Sequence, residues 1–167
     1  MAFLRRHLPE WPYIEGTQRI SLREIIFREV CLNILIHREF GGQHEASLVI
    51  YNDRVETCNW NIPFGYGPIN LSNLHPHAKN PTIANFFTQL GIVEELGRGI
   101  RVMFNYVPLI SSGRKPIMDS SDEEAVRRAV EQDRQSVNRA REAWQKACGK
   151  KAASRRSSVF YRLWRGI

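Results

Sequence analysis

Between Ser21 and Arg38 the chain reads SLREIIFREVCLNILIHR, with apolar residues at 22, 25, 26, 27, 30, 31, 32, 34, 35 and 36. At about 3.6 residues per turn these wrap most of the second half of a helix. A helix that is apolar nearly all round belongs inside a fold rather than on its surface. Ser21 suits the N-cap position, and Glu24 three residues later completes a capping box. One polar stripe interrupts the apolar surface: Glu29, Asn33 and His37 follow one another at four-residue intervals, one turn apart on a single face. A buried polar group without a partner costs about 1–3 kcal/mol. The stripe must therefore face something polar, whether protein, water, metal or ligand.

The rest of the chain supplies a sheet and more helices. ASLVIY (46–51) and RVETCN (54–59) read as two strands, with Asn52-Asp53 as the tight turn between them. Residues 60–80 are rich in Pro and Gly, and loops of that length commonly act as lids or binding loops. Asn80-Pro81 opens a helix that runs to Gly91, with Asn as cap and Pro in the first turn. IVEEL reads as a short helical piece, Gly97-Arg98-Gly99 interrupts it, and IRVMFNY (100–106) continues as a helix. Residues 107–118 read as an irregular stretch with one short strand. A last helix over 121–148 has a capping box, an acidic first turn and a thin apolar seam through Val126, Val130, Val137, Ala140, Trp144 and Ala147. Residues 1–20, broken by Pro9, Pro12 and Gly16, read as an irregular remnant or linker. The division is thus 1–20, a domain over 21–118, a helix over 119–148, and a basic flexible tail over 149–167.

Charge is unevenly placed. Residues 1–113 hold ten Lys/Arg and ten Asp/Glu; residues 114–167 hold fourteen and seven, so the whole net charge of +7 lies there. Bulk attraction to polyanions belongs to the tail, and the neutral body must act through local chemistry. No apolar run approaches the roughly 18 residues of a membrane span. The three cysteines form no close metal pair and no even framework, which reads as a reducing, cytoplasmic setting.

Two features carry chemistry. The Asn33 amide oxygen is a neutral hard ligand suited to Mg²⁺, and the Glu29 carboxylate one turn away suits the orientation or deprotonation of an attacking water. The alternative for this pair is a satisfied buried hydrogen-bonded couple. Gly97-Arg98-Gly99 ahead of a helix lets backbone N–H groups approach a phosphate; its alternative is a plain turn between helices.

Taken in order, E-x-x-x-N-x-x-x-H-R-E-F at 29–40, K-N-P at 79–81 and E-L-G-R-G-I at 95–100 resemble the ATP-binding module of RecG-like transcriptional regulators. That module is a divergent branch of the gyrase, histidine-kinase and mismatch-repair ATPases, which share the Bergerat fold. The resemblance spans about residues 13–118. It implies an α+β fold, a two-layer α/β sandwich with helices over one face of a mostly antiparallel sheet, followed by the helix and basic tail. It also implies binding of ATP and Mg²⁺, with slow hydrolysis as a further expectation. Glu29 matches the water-activating Glu and Asn33 the Mg²⁺ ligand. Gly97 and Gly99 match the glycines that approach the phosphates, and residues 60–80 would include the nucleotide lid. Lys79 and Arg98 are candidates to reach phosphate. Where the superfamily places an Asp and flexible glycines after the second strand, this chain has Asn59-Trp60-Asn61-Ile62-Pro63, so Asn59 stands in as the adenine-side group. Relatives carry an upstream Schlafen-like, AlbA-type domain and often a downstream winged helix; neither is visible, and the sheet is expected to lack its closing strands.

Other readings compete. His37, His44, Cys58, His75 and His77 offer zinc ligands, although no CxxC or HExxH spacing organises them. Lys150, Lys151, Arg155, Arg156, Arg162 and Arg165, interleaved with Phe160, Tyr161 and Trp164, could contact DNA phosphates and stack on bases. A degenerate, non-catalytic module serving as an interaction or DNA-associated domain is the alternative to the nucleotide-binding function.

Overall fold

The structure, a computed structural model, describes residues 1–41, 45–59, 67–74, 77–93, 97–120, 123–148 and 161–165. In chain order the elements are α1 (Ala2–His7), β1 (Pro12–Glu15), β2 (Gln18–Ser21), α2 (Leu22–His37), β3 (Ser47–Ile50), β4 (Arg54–Cys58), α3 (Pro81–Gln89), α4 (Arg98–Ile110), β5 (Ile117–Asp119), α5 (Glu123–Cys148) and β6 (Tyr161–Arg165). The fold is α+β.

α2 starts where its sequence says it should. Ser21 adopts extended backbone, and its hydroxyl accepts from the Glu24 amide at 3.1 Å. The Glu24 side chain receives both guanidinium arms of Arg5, at 2.8 and 3.0 Å. The all-round apolar character of the helix has a direct explanation, because α2 lies between two hydrophobic clusters. Leu22, Ile26, Phe27 and Val30 join Leu4 and Leu8 of α1, Ile100, Met103 and Val107 of α4, and Val55 and Met118 of the sheet. Leu32 and Ile36 instead meet Ala84 of α3, with Ile83 and Phe87 packed alongside.

Residues 1–20 depart from the irregular reading. Leu4 and Leu8, four apart, both enter the main core, at 3% and 4% exposure. The presumed breakers delimit short elements instead: Pro9 follows α1, Pro12 opens β1, and Gly16-Thr17 forms the turn of an antiparallel β1–β2 hairpin. The segment is fastened to α2 by the Arg5–Glu24 pair, by Arg23 donating to the Leu8 carbonyl at 2.8 Å, and by the Leu22 amide donating to the Trp11 carbonyl at 3.0 Å.

The larger sheet has the order β3-β4-β6-β5. β3 and β4 form the expected antiparallel hairpin, with Val49 opposite Glu56 and Ile50 opposite Val55. β6 pairs in parallel with both β4 and β5, so a mostly antiparallel sheet is not what forms. The chain reaches β6 after the long α5, a crossover of the kind that parallel neighbours require. β6 lies within the segment read from sequence as a basic tail. Beside β5, the Ile69 amide donates to the Met118 carbonyl at 2.8 Å and the Ser120 amide to the Gly67 carbonyl at 3.0 Å, which anchors the middle of the connection between β4 and α3.

Candidate functional site

α2 places Glu29 and Asn33 one turn apart, and the first turn of α4 lies against them. The contact is closest at Gly99, which is buried. A methyl group on its Cα would sit 2.8 Å from Glu29 Oε2, 3.4 Å from Asn33 Nδ2 and 3.7 Å from Asn33 Oδ1. A side chain at this position would require the end of the Glu29 side chain to move aside. Gly97, the N-cap of α4, has φ +85°, a left-handed conformation that glycine adopts without the Cβ penalty. The sequence-predicted Glu29, Asn33 and Gly99 thus converge, with Gly97 and Arg98 immediately before Gly99.

The electrostatics of this corner are specific. Burial pushes the Glu29 carboxyl above its ordinary value, while the charges of Arg28 and Arg98 pull it down. Loss of hydration disfavours the anion, and nearby cations restore part of what is lost. Asn33 Nδ2 is buried and has no hydrogen-bond partner among the described residues. Buried amide groups are normally satisfied. The corner thus combines an unsatisfied amide, a half-buried carboxyl and a closely packed glycine backbone.

The remaining predicted residues are engaged elsewhere. Asn59, just after β4 and 4% exposed, donates from Nδ2 to the Ile34 carbonyl at 3.1 Å, while its Oδ1 is buried and unpartnered among the described residues. Lys79 Nζ lies 2.6 Å from Glu39 Oε2. Residues 60–66 and 75–76 of the proposed lid, His44, and part of IVEEL lie outside the described residues, as do Lys150, Lys151, Arg155 and Arg156 of the tail. A cavity of about 480 Å³ lies between α1 and β3, lined in part by Phe3, Leu8, Leu48 and Tyr51; none of the predicted site residues lines it.

Sequence reasoning missed the junction at the far end of the stripe. Asn80 was read as the cap of α3, but its side chain makes no cap bond there. Its Nδ2 instead donates to the carbonyls of Ile36 at 3.0 Å and Arg38 at 2.8 Å, closing the C-terminal end of α2. His37, the last residue of α2, is buried, and its ring lies 5.7 Å from that of His77. Burial, with a smaller contribution from His77, lowers its pKa to about 4. The four-residue spacing from Asn33 marked His37 as polar and inward; nothing in the sequence paired it with His77.

Residues 44–126 match the family model described as "Putative ATP-dependent DNA helicase recG C-terminal". The match supports an ATPase-like module. The matched stretch takes in Asn59, Lys79 and the Gly97–Gly99 turn, whereas Glu29 and Asn33 precede it on α2. No curated protein and no solved structure matches the chain. Among the described residues no helix is long and apolar enough to cross a membrane.

Proposed function

We propose that the chain binds ATP with Mg²⁺ at the corner formed by Glu29, Asn33 and the Gly97–Gly99 turn, and hydrolyses it slowly. The observation that carries this reading is the convergence of Glu29, Asn33 and Gly99, three residues singled out for one chemistry and distant in sequence. Three features support this reading: an amide without a hydrogen-bond partner among the described residues, a carboxyl whose pKa burial raises, and a close glycine backbone approach.

In this reading the Asn33 amide oxygen would hold the cation, and the cation supplies neutralisation of phosphate charge when bound. Glu29 takes the proton of the attacking water. A base with a raised pKa is better matched to that task near neutral pH than an ordinary carboxylate. The Gly97 and Gly99 amides, at the start of α4, would donate to phosphate oxygens, where the helix dipole also favours negative charge. Arg98 and Lys79 supply positive charge, Lys79 after exchanging its Glu39 partner. Asn59 stands on the adenine side. The wider role is that of the ATPase-like part of a transcriptional regulator in the cytoplasm, with DNA as the partner of the basic C-terminal region or of further domains.

A second reading follows from two observations. Asn59 is bonded to the Ile34 carbonyl and Lys79 to Glu39, so two of the ligand groups have internal partners. A module that has lost its nucleotide and serves as an interaction or DNA-associated domain would look the same at these positions.

Titration with a Mg²⁺–ATP analogue separates the two. Saturable binding that Asn33→Ala weakens, with hydrolysis lost in Glu29→Ala while binding survives, supports the first. Absence of binding at millimolar nucleotide leaves only the second.

A further inference from the structure

We propose that His37 and His77 form a two-imidazole site for a borderline divalent cation, Zn²⁺ foremost, which clamps the end of α2 to the segment that leads into α3. His37 is 7% exposed, and its Nδ1 is buried with no hydrogen-bond partner among the described residues. A buried nitrogen in that condition carries an uncompensated desolvation penalty, and ring-to-ring contact does not replace the missing bond. A ligand that accepts the lone pair removes the penalty.

The separation of the rings suits that ligand. Two imidazoles that each hold one ion at about 2.0–2.1 Å have ring centres roughly 5–6 Å apart. The rings of His37 and His77 stand 5.7 Å apart with their planes at 71°. Their backbones are also fixed before any ion arrives, because residues 36–39 run beside residues 77–80. Lys79 pairs with Glu39 at 2.6 Å, the Asn80 amide donates to the Ile36 carbonyl at 2.9 Å, and the Asn80 side chain reaches the carbonyls of Ile36 and Arg38. A site held this way loses little freedom when it binds.

The donor set selects the ion. Neutral imidazole suits Zn²⁺, Cu²⁺ and Ni²⁺, whereas Mg²⁺ prefers oxygen and water. The site is therefore distinct from the Mg²⁺ position at Asn33, four residues and about 6 Å earlier along the helix. Among the described residues no group of three or more His, Cys, Asp or Glu side chains converges on one point. Solvent completes the coordination, so binding is reversible and weaker than at a closed structural zinc centre.

The test is calorimetric titration of the full chain, stripped of metal, with zinc chloride in millimolar Mg²⁺ and without nucleotide. One equivalent of zinc per chain, an upward shift of the melting temperature, and an at least tenfold loss of affinity in His77→Ala are expected. His37→Gln should show the same loss; should it fail to fold, the half-buried His77 decides the matter. Zinc taken up equally by the wild type and His77→Ala, as by the thiols of Cys31 and Cys58, overturns the proposal, and so does no uptake at micromolar zinc. The outcome does not depend on whether ATP binds.

Discussion

Gly99 approaches Glu29 so closely that a methyl group on its Cα would lie 2.8 Å from the carboxylate oxygen Oε2. The neighbour that must give way is the far end of a flexible side chain. Gly99→Ala should therefore push the Glu29 carboxylate aside without breaking the α2–α4 packing. Alanine also favours the helix over glycine by up to about 1 kcal/mol. The melting temperature should stay nearly constant while ATP hydrolysis falls at least tenfold. A thermal melt run beside a steady-state phosphate-release assay checks both halves, and unchanged hydrolysis would remove Gly99 from the site.

Asn33→Ala tests whether the buried amide exists for a ligand. Its Nδ2 makes no hydrogen bond among the described residues, so truncation takes away little native bonding. The loss of unfolding free energy should stay near 1 kcal/mol, the range for a small cavity and one lost polar group. Binding of a Mg²⁺–ATP analogue should weaken by tenfold or more. Urea denaturation and equilibrium titration on the same preparation separate these effects; a large drop in stability with unaltered binding would make Asn33 a structural residue.

Asn80→Ala should destabilise the protein by about 1–3 kcal/mol, because two carbonyls at the end of α2 lose their side-chain donor. Asn80→Asp should be at least as damaging, since a carboxylate cannot donate and would face two carbonyl oxygens. Hydrogen exchange should localise the loosening to the last turn of α2 and the first of α3. Uniform exchange across the chain would contradict the assignment.

His37 sets a pH dependence. Its pKa of about 4 lies below the ordinary 6.5, so between these values the unfolded chain binds a proton that the folded chain refuses. Stability should fall as the pH drops through this window, by about 3 kcal/mol in all at 1.36 kcal/mol per unit. Glu29 acts in the opposite sense: its raised carboxyl pKa stabilises the fold at low pH and loses that contribution as the pH rises. Urea midpoints measured from pH 4 to 7 with a chelator present should show the trend. It should persist in His77→Ala, since burial is the larger cause, and a flat profile would place His37 in contact with solvent.

Much of this fold was legible because local signals and burial agreed. α2 was readable from Ser21 and its apolar run, and β3 and β4 from alternation around Asn52-Asp53. The convergence of Glu29 and Asn33 with Gly99 was readable only as a family likeness, since the α2–α4 contact depends on tertiary packing that no local pattern encodes. Residues 1–20 were misjudged because Pro and Gly were weighed as breakers while the Leu4–Leu8 spacing was passed over. The parallel placement of β6 was hidden for another reason: its partners are more than forty residues away, and no local pattern in YRLWR announces a strand between β4 and β5. Asn80 holds the N-cap position of α3 as the sequence suggests, but its side chain donates to carbonyls at the end of α2 instead of capping α3.

α2 contributes to two separate apolar clusters, one with α1, α4 and the sheet and the other with α3. Should α3 peel away, Leu32 and Ile36 would meet water while the main core stayed intact. Such a half-open molecule would be sticky, and two of them could seal the same flank by lying against each other. The element that carries the acid and the amide is thus also the one that partial unfolding would turn into an adhesive.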